Sequence, residues 1–185
     1  MNMKKVIAIV GMAGSGKSDV ASFLKEAGLP VVRLGVETDH GLEKQGLPNT
    51  EENARKFRED LRSELGMAAY ATVAKPYIDE ALLKKNTVIL DGLYSWEEYQ
   101  FLKEQYPELL VVCVFADRES RYERLKNRPV RPLEKEEAEK RDIAEIENLS
   151  KGGPIALADY ILENNGTRKE LQKKTEALSQ KLGLA

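Results

Sequence analysis

The chain has 185 residues, a length that one globular domain with a modest insertion fills. Hydrophobic residues make up 42% and charged residues 32%, which excludes a disordered chain, while 29 Lys and Arg against 31 Asp and Glu leave a net charge of -2. With no global field to attract polyanions, nucleic acid and membrane surfaces are not expected partners, and an anionic ligand has to be met by a local cluster of cations. Cys113 is the only cysteine and His40 the only histidine, so an internal disulfide is impossible and zinc sites or histidine triads lack their partners. No long apolar run or secretory leader is evident, and a cytoplasmic setting is expected.

Short apolar runs alternate with longer periodic stretches, the pattern of a parallel sheet covered by helices. The first run, Lys5–Val10, is followed by a helix whose face carries Val20, Phe23, Leu24 and Ala27, stopped by Gly28 and Pro30. A second strand is expected at 31–34. The segment 36–84 reads as helical: Thr50 caps a helix bearing Ala54, Phe57, Leu61 and Leu65, and Pro76 is expected to break or kink the pattern into at least two helices. A third strand at 87–90 ends in Asp91. Ser95 with Glu98 forms a capping box, and a fourth strand at 109–116 buries Cys113. Arg118, Arg121, Arg124 and Arg128 then recur along one helix. A short loop with Pro129 and Pro132 leads into a charged helix over 134–149, closed by Gly152 and Gly153. The fifth strand, at 159–162, precedes a last helix that Thr167 and Glu170 cap and that buries Leu171, Leu178 and Leu182.

Gly11, Met12, Ala13, Gly14, Ser15, Gly16, Lys17 and Ser18 satisfy the pattern G-x-x-x-x-G-K-[ST] between an apolar strand and an amphipathic helix, where a phosphate-binding loop belongs. Glycines let the backbone wrap a phosphate closely, and the loop N–H groups and helix N-terminus point at the anion. Lys17 is expected on the β and γ phosphates, and Ser18 on Mg²⁺ together with Asp91 at the carboxyl edge of the sheet. A guanine-nucleotide switch would carry an Asn-Lys-x-Asp stretch, and none occurs. Phosphoryl transfer asks a protein mainly for positive charge around the equatorial oxygens, and the arginines after the fourth strand could close on them as a lid. Any one of them could equally pair with a surface carboxylate. Arg33 with Arg55, Arg58 and Arg62 favours a phosphate-bearing acceptor, against the alternative of surface pairing with Glu51 and Glu59. Trp96 and Tyr99 read as a base pocket or, more ordinarily, as core.

The phosphate loop, the stretch Leu90, Asp91 and Gly92, the run from Arg124 to Arg128, and Arg131 and Arg141 resemble the corresponding parts of nucleoside-monophosphate kinases such as adenylate kinase. The segment 158–167 is more similar to the end of dephospho-coenzyme A kinases, and the whole chain looks most like a group of small kinases related to both. The resemblance implies ATP as donor, Asn165 and Gly166 near its base, Arg33 near the acceptor, and Arg124, Arg128, Arg131 and Arg141 over the transferring phosphate. Two places depart from it. Arg33, Leu34 and Gly35 stand where dephospho-coenzyme A kinases carry an Asp, and Tyr94 and Ser95 stand where monophosphate kinases carry Pro-Arg.

The expectation is therefore an α/β, three-layer phosphate-loop NTPase fold with a five-stranded parallel sheet, one domain over 1–185 with a helical acceptor-binding insertion at 36–84 and a lid at 128–141. The expected activity moves the γ-phosphoryl of MgATP to a nucleotide-like acceptor, a nucleoside monophosphate first. Dephospho-coenzyme A is the alternative acceptor, and a catalytically silent nucleotide-binding regulator the alternative class.

Overall fold

The structure, a computed structural model, describes residues 4–184. Five strands, β1 (Lys5–Val10), β2 (Val31–Arg33), β3 (Thr87–Asp91), β4 (Leu110–Phe115) and β5 (Tyr160–Glu163), form one sheet in the order β2-β3-β1-β4-β5. All four pairings are parallel. Parallel strands covered on both faces lose the polar alternation of an exposed sheet, which is why β1 reads as an unbroken apolar run. Its side chains still alternate. Val6, Ala8 and Val10 join one core with Val88, Leu90, Val111 and Cys113, while Ile7 and Ile9 join the other with Ile89, Val112 and Val114.

The first core is closed by α4 (Ala69–Lys84) and α5 (Trp96–Gln105), through residues such as Tyr70, Ile78 and Leu102. The second is closed by α1 (Lys17–Glu26) and α9 (Arg168–Leu182), through Val20, Phe23, Leu24 and Leu171. The remaining helices are α2 (Val36–Lys44), α3 (Glu51–Leu65), α6 (Arg118–Asn127), α7 (Lys135–Glu147) and the short α8 (Gly152–Ala156). Helices α2 to α4 fill the segment 36–84 between β2 and β3. Register decides what meets at the carboxyl edge: Asp91 lies opposite both Ile9 and Arg33, and the phosphate loop starts one residue beyond Val10. A glycine is obligatory at that start. Gly11 has φ +149°, and a Cβ there would come within 2.3 Å of the Val114 carbonyl oxygen on β4.

Several local expectations are met by the structure. Thr50 Oγ1 accepts the Asn53 N–H at 3.2 Å, and Thr167 and Glu170 form a reciprocal box. Others are corrected. Ser95 Oγ accepts the Glu98 N–H, but the Glu98 carboxylate turns to the Tyr94 N–H at 2.8 Å instead of completing the box. Pro76 neither breaks nor ends α4: it sits on the exposed side, where water can satisfy the carbonyl that its missing N–H leaves free. Leu65, placed on the buried face of α3 by periodicity, is exposed, because α3 leaves only Ala54 fully covered. Gly152 and Gly153 do not close the charged helix. That helix ends at Glu147, the chain turns at Ser150 with φ 47°, and the glycines open α8, where Gly153 makes room for the Trp96 ring. Trp96 stacks on Tyr99 with ring centroids 5.2 Å apart beside that helix, away from the phosphate loop.

A buried ion pair joins α6 to α7. Arg121 on α6 gives Nη1 and Nη2 to the two carboxylate oxygens of Asp142 on α7, at 2.9 and 2.5 Å, and Nη1 also donates to the Ala13 carbonyl at 2.9 Å. Both side chains are almost wholly buried, so the guanidinium ties two helices to the phosphate loop. Removing one partner strands the other charge. Asp142→Ala should therefore cost about 3–5 kcal/mol in urea unfolding. Glu139→Ala, whose exposed carboxylate only approaches Arg118 at 4.0 Å, should leave the midpoint nearly unchanged.

Candidate functional site

A single cavity of about 1160 Å³ runs from the phosphate loop to α3 and α7. Its lining includes Lys17, Ser18, Arg33, Arg124, Arg128, Arg131 and Arg141. Arg55, Arg58 and Arg62 of α3 also line it, so that stripe faces the cavity and not only solvent. Lys17 Nζ donates to the carbonyls of Gly11 and Met12 at 2.9 and 3.0 Å, curled within its own loop. Burial, helped by the charge of Lys151, lowers the Lys17 pKa to about 7.

Asp91 is raised by burial, which the neighbouring Lys17 charge opposes. Ser18 Oγ donates to Asp91 Oδ1 at 3.4 Å, which brings a hydroxyl and a carboxylate oxygen together at the mouth of the loop. Hard oxygen donors of this kind suit Mg²⁺. Among the described residues no three His, Cys, Asp or Glu side chains cluster as metal ligands, so an ion here would draw further ligands from phosphate oxygens and water.

Cations from different elements are held apart by carboxylates. Glu145 accepts from Lys151 Nζ at 2.6 Å and from Arg141 Nε at 3.1 Å; burial alone would raise its pKa, but those two charges hold it well below the usual carboxylate range. Glu51, the first residue of α3, accepts from Arg58 at 2.7 Å and from Arg141 at 3.1 Å. Asp39 on α2 accepts from Arg33 Nη1 at 2.7 Å and lies 3.6 Å from Arg131 Nη2. Arg131 itself has φ 53°, unusual for a non-glycine residue, and its carbonyl accepts from Arg128 Nε at 2.5 Å. The Glu98 carboxyl is pushed up to about 7 by burial, with Arg62 opposing from 4.0 Å.

Arg118 and Arg121 do not join the cavity lining: the first is exposed and the second is the structural anchor described above. Asn165 and Gly166 lie on the loop after β5, outside the cavity, with Asn165 Oδ1 accepting the Asp117 N–H at 2.8 Å. Sequence reading passed over their neighbour Asn164. Buried Nδ2 of Asn164 donates to the Ser15 carbonyl at 2.8 Å, its own carbonyl accepts from Arg124 Nη2 at 2.8 Å, and a Cβ on Gly16 would collide with it at 2.3 Å. Lys151 is not legible as a buried charge before two glycines, and Glu145, which reads as a surface partner for the arginines, does pair with Arg141 but is buried with Lys151.

The sequence profile of a family described as an AAA domain matches residues 7–145. A UPF0200 protein of Thermococcus sibiricus is 33% identical over 183 residues, 97% of this chain and 96% of its own length. The chain belongs to the UPF0200 family. A member from Sulfurisphaera tokodaii is 35% identical over 184 residues, covering 98% of this chain and 99% of its own. Among solved structures, the fold is similar to TT1252 from Thermus thermophilus, with a TM-score of 0.62, 23% identity and 97% and 98% of the two chains covered. It is also similar to shikimate kinase from Bacteroides thetaiotaomicron (0.62, 16% identity, 96% and 98%) and to a gluconokinase from Sinorhizobium meliloti (0.58, 18%, 98% and 97%). The UPF0200 chain thus has the α/β phosphate-loop kinase fold. No helix among its described residues is long and apolar enough to cross a membrane.

A phosphate anion favours the ammonium form of Lys17, so binding at alkaline pH must draw a proton from solvent. Metal-free ATP should bind with proton uptake, and its affinity should fall between about pH 7 and pH 9, as read by calorimetry in buffers of different ionisation enthalpy. Lys17→Arg, charged throughout that range, should lose the uptake.

Proposed function

We propose that this protein transfers the γ-phosphoryl of MgATP to a small acceptor that already carries a phosphate, a nucleoside monophosphate being the class it fits best. The observation that carries the reading is the gathering of Arg33, Arg58, Arg62, Arg128, Arg131 and Arg141 with Lys17 around one cavity whose 1160 Å³ can hold a donor and an acceptor together. A phosphate acceptor is already nucleophilic at neutral pH, so the protein has to position it and offset its charge, and guanidiniums do both.

On this reading the loop N–H groups and Lys17 hold the donor's phosphates, and its base extends past the cavity toward Asn165 and Gly166. Ser18 and Asp91 would hold Mg²⁺, which supplies charge neutralisation across the phosphates. Arg33, Arg58 and Arg62 hold the acceptor, and Arg124, Arg128, Arg131 and Arg141 lie over the transferring group and exclude water. The bonds from Arg124 to the carbonyls of Gly14 and Asn164, which hold it beside the phosphate loop, support that role.

One observation favours a second reading, a hydroxyl acceptor such as dephospho-coenzyme A. The carboxylate of Asp39 reaches the cavity edge through Arg33 and Arg131 and is the nearest counterpart to a base beyond the second strand. Asp39→Asn separates the two: a base is needed for a hydroxyl and not for a phosphate, so turnover should fall by less than about tenfold if the acceptor is a monophosphate and by about a hundredfold or more if it is a hydroxyl.

The direct test is ADP release across a panel of nucleoside monophosphates and dephospho-coenzyme A. Acceptor-dependent ADP that Lys17→Ala abolishes is expected. No ADP release above background with any acceptor would instead leave a nucleotide-binding regulator.

A further inference from the structure

Glu51 sits where the guanidiniums of the cavity converge. Its Oε1 accepts from Arg58 Nη2 at 2.7 Å, its Oε2 accepts from Arg141 Nη1 at 3.1 Å, and Oε2 also lies 3.8 Å from Arg128 Nη2. These arginines come from α3, the lid loop and α7, elements that meet nowhere else through so many charges. Arg131 adds a fourth positive charge close enough to pull on the carboxyl. Glu145 also takes a share of Arg141 and Asp39 of Arg131, so the shortfall of negative charge falls on Arg128. Arg128 Nη2 is buried with no hydrogen-bond partner among the described residues, and burial with the neighbouring Arg141 charge lowers Arg128 to about 10.

The forked donors of arginine match a carboxylate and a phosphate alike, because both present paired oxygens at similar spacing. A tetrahedral dianion could take the places of both Glu51 oxygens and offer a third oxygen to Arg128, with twice the charge. Glu51 is also the first residue of its helix, so its side chain can swing toward solvent without unwinding α3, and its carboxylate would there remain favourable to the helix N-terminus.

We propose that Glu51 is a built-in stand-in for the acceptor's phosphate: it holds the arginines of α3, the lid and α7 together, and a phosphate or phosphomonoester binds by displacing it. The proposal rests on the phosphate-acceptor reading above and assigns to Glu51 the setting of acceptor affinity. Displacement has a direct consequence for specificity. A monoanionic ligand gains little by replacing one carboxylate with another, whereas a dianion gains a charge, so the subsite discriminates by charge before it discriminates by shape.

The test uses the full chain with its phosphate loop saturated by MgADP, so that added inorganic phosphate reports the second subsite. In titration calorimetry E51Q should bind phosphate about tenfold more tightly than the parent protein. Adding R58A to E51Q should cancel the gain. Phosphate should also raise the Tm of E51Q more than that of the parent, a reading that holds if the variant is somewhat less stable on its own. Phosphate affinity unchanged or weakened in E51Q, or a gain that survives R58A, would overturn the proposal. Neither measurement needs turnover. If E51Q behaves as expected while no monophosphate in the panel yields ADP, the phosphotransfer reading fails and the stand-in role remains; turnover with an unresponsive E51Q gives the opposite result.

Discussion

A protein that gathers so many cations around one cavity must first survive their repulsion, and that constraint organises this structure. The chain solves it with buried or half-buried carboxylates, most of them shared between positive side chains. Asp142 neutralises Arg121, Glu145 lies between Lys151 and Arg141, Glu51 between Arg58 and Arg141, and Asp39 between Arg33 and Arg131. Buried pairs of this sort add little net stability compared with apolar packing, yet they cost a great deal to break, so they fix geometry more than they deepen the fold. The near-neutral charge of the chain follows from this arrangement. The acids that cancel the arginines in composition stand beside them in space.

The sheet is what brings the cavity's parts to one edge. Because β1 is flanked by β3 and β4, its carboxyl end presents the phosphate loop between Asp91 on one side and the lid on the other, with Arg33 one strand further out. Loop and sheet are in contact at Gly11 against Val114, and the loop is braced from outside by Asn164 after β5. Elements on both sides of the sheet therefore control the shape of a loop that is local in sequence.

Much of this was legible in the sequence, for physical reasons. The central strands are buried on two faces and have to be apolar runs, the two edge strands keep short apolar runs of their own, and the phosphate loop carries its own backbone requirements in its glycines. Helix starts were readable where a Thr side chain takes over the first N–H groups. What escaped was whatever depends on a partner far along the chain. The period of α3 marked Leu65 as core, but only the docked fold shows that this helix turns its arginines inward. Glu145 and Lys151 look like solvated charges until α7 and the turn at Ser150 press them together. Asp39 stands several residues past the second strand, and only α2 carries it back to Arg33.

The strand order has a further consequence, for how the chain reaches this state. The first strand of the chain is the central one, and neither of its neighbours exists until β3 is complete at Asp91 and β4 at Phe115. During synthesis the run from Val6 to Val10 has to wait, unpaired and apolar, while the whole helical segment before β3 is made. Non-local parallel pairing of this kind is slow and leaves strand edges open to other chains. Lys4 and Lys5, directly before that run, place charge where an intermolecular strand would have to stack, the position in which gatekeeping residues oppose aggregation.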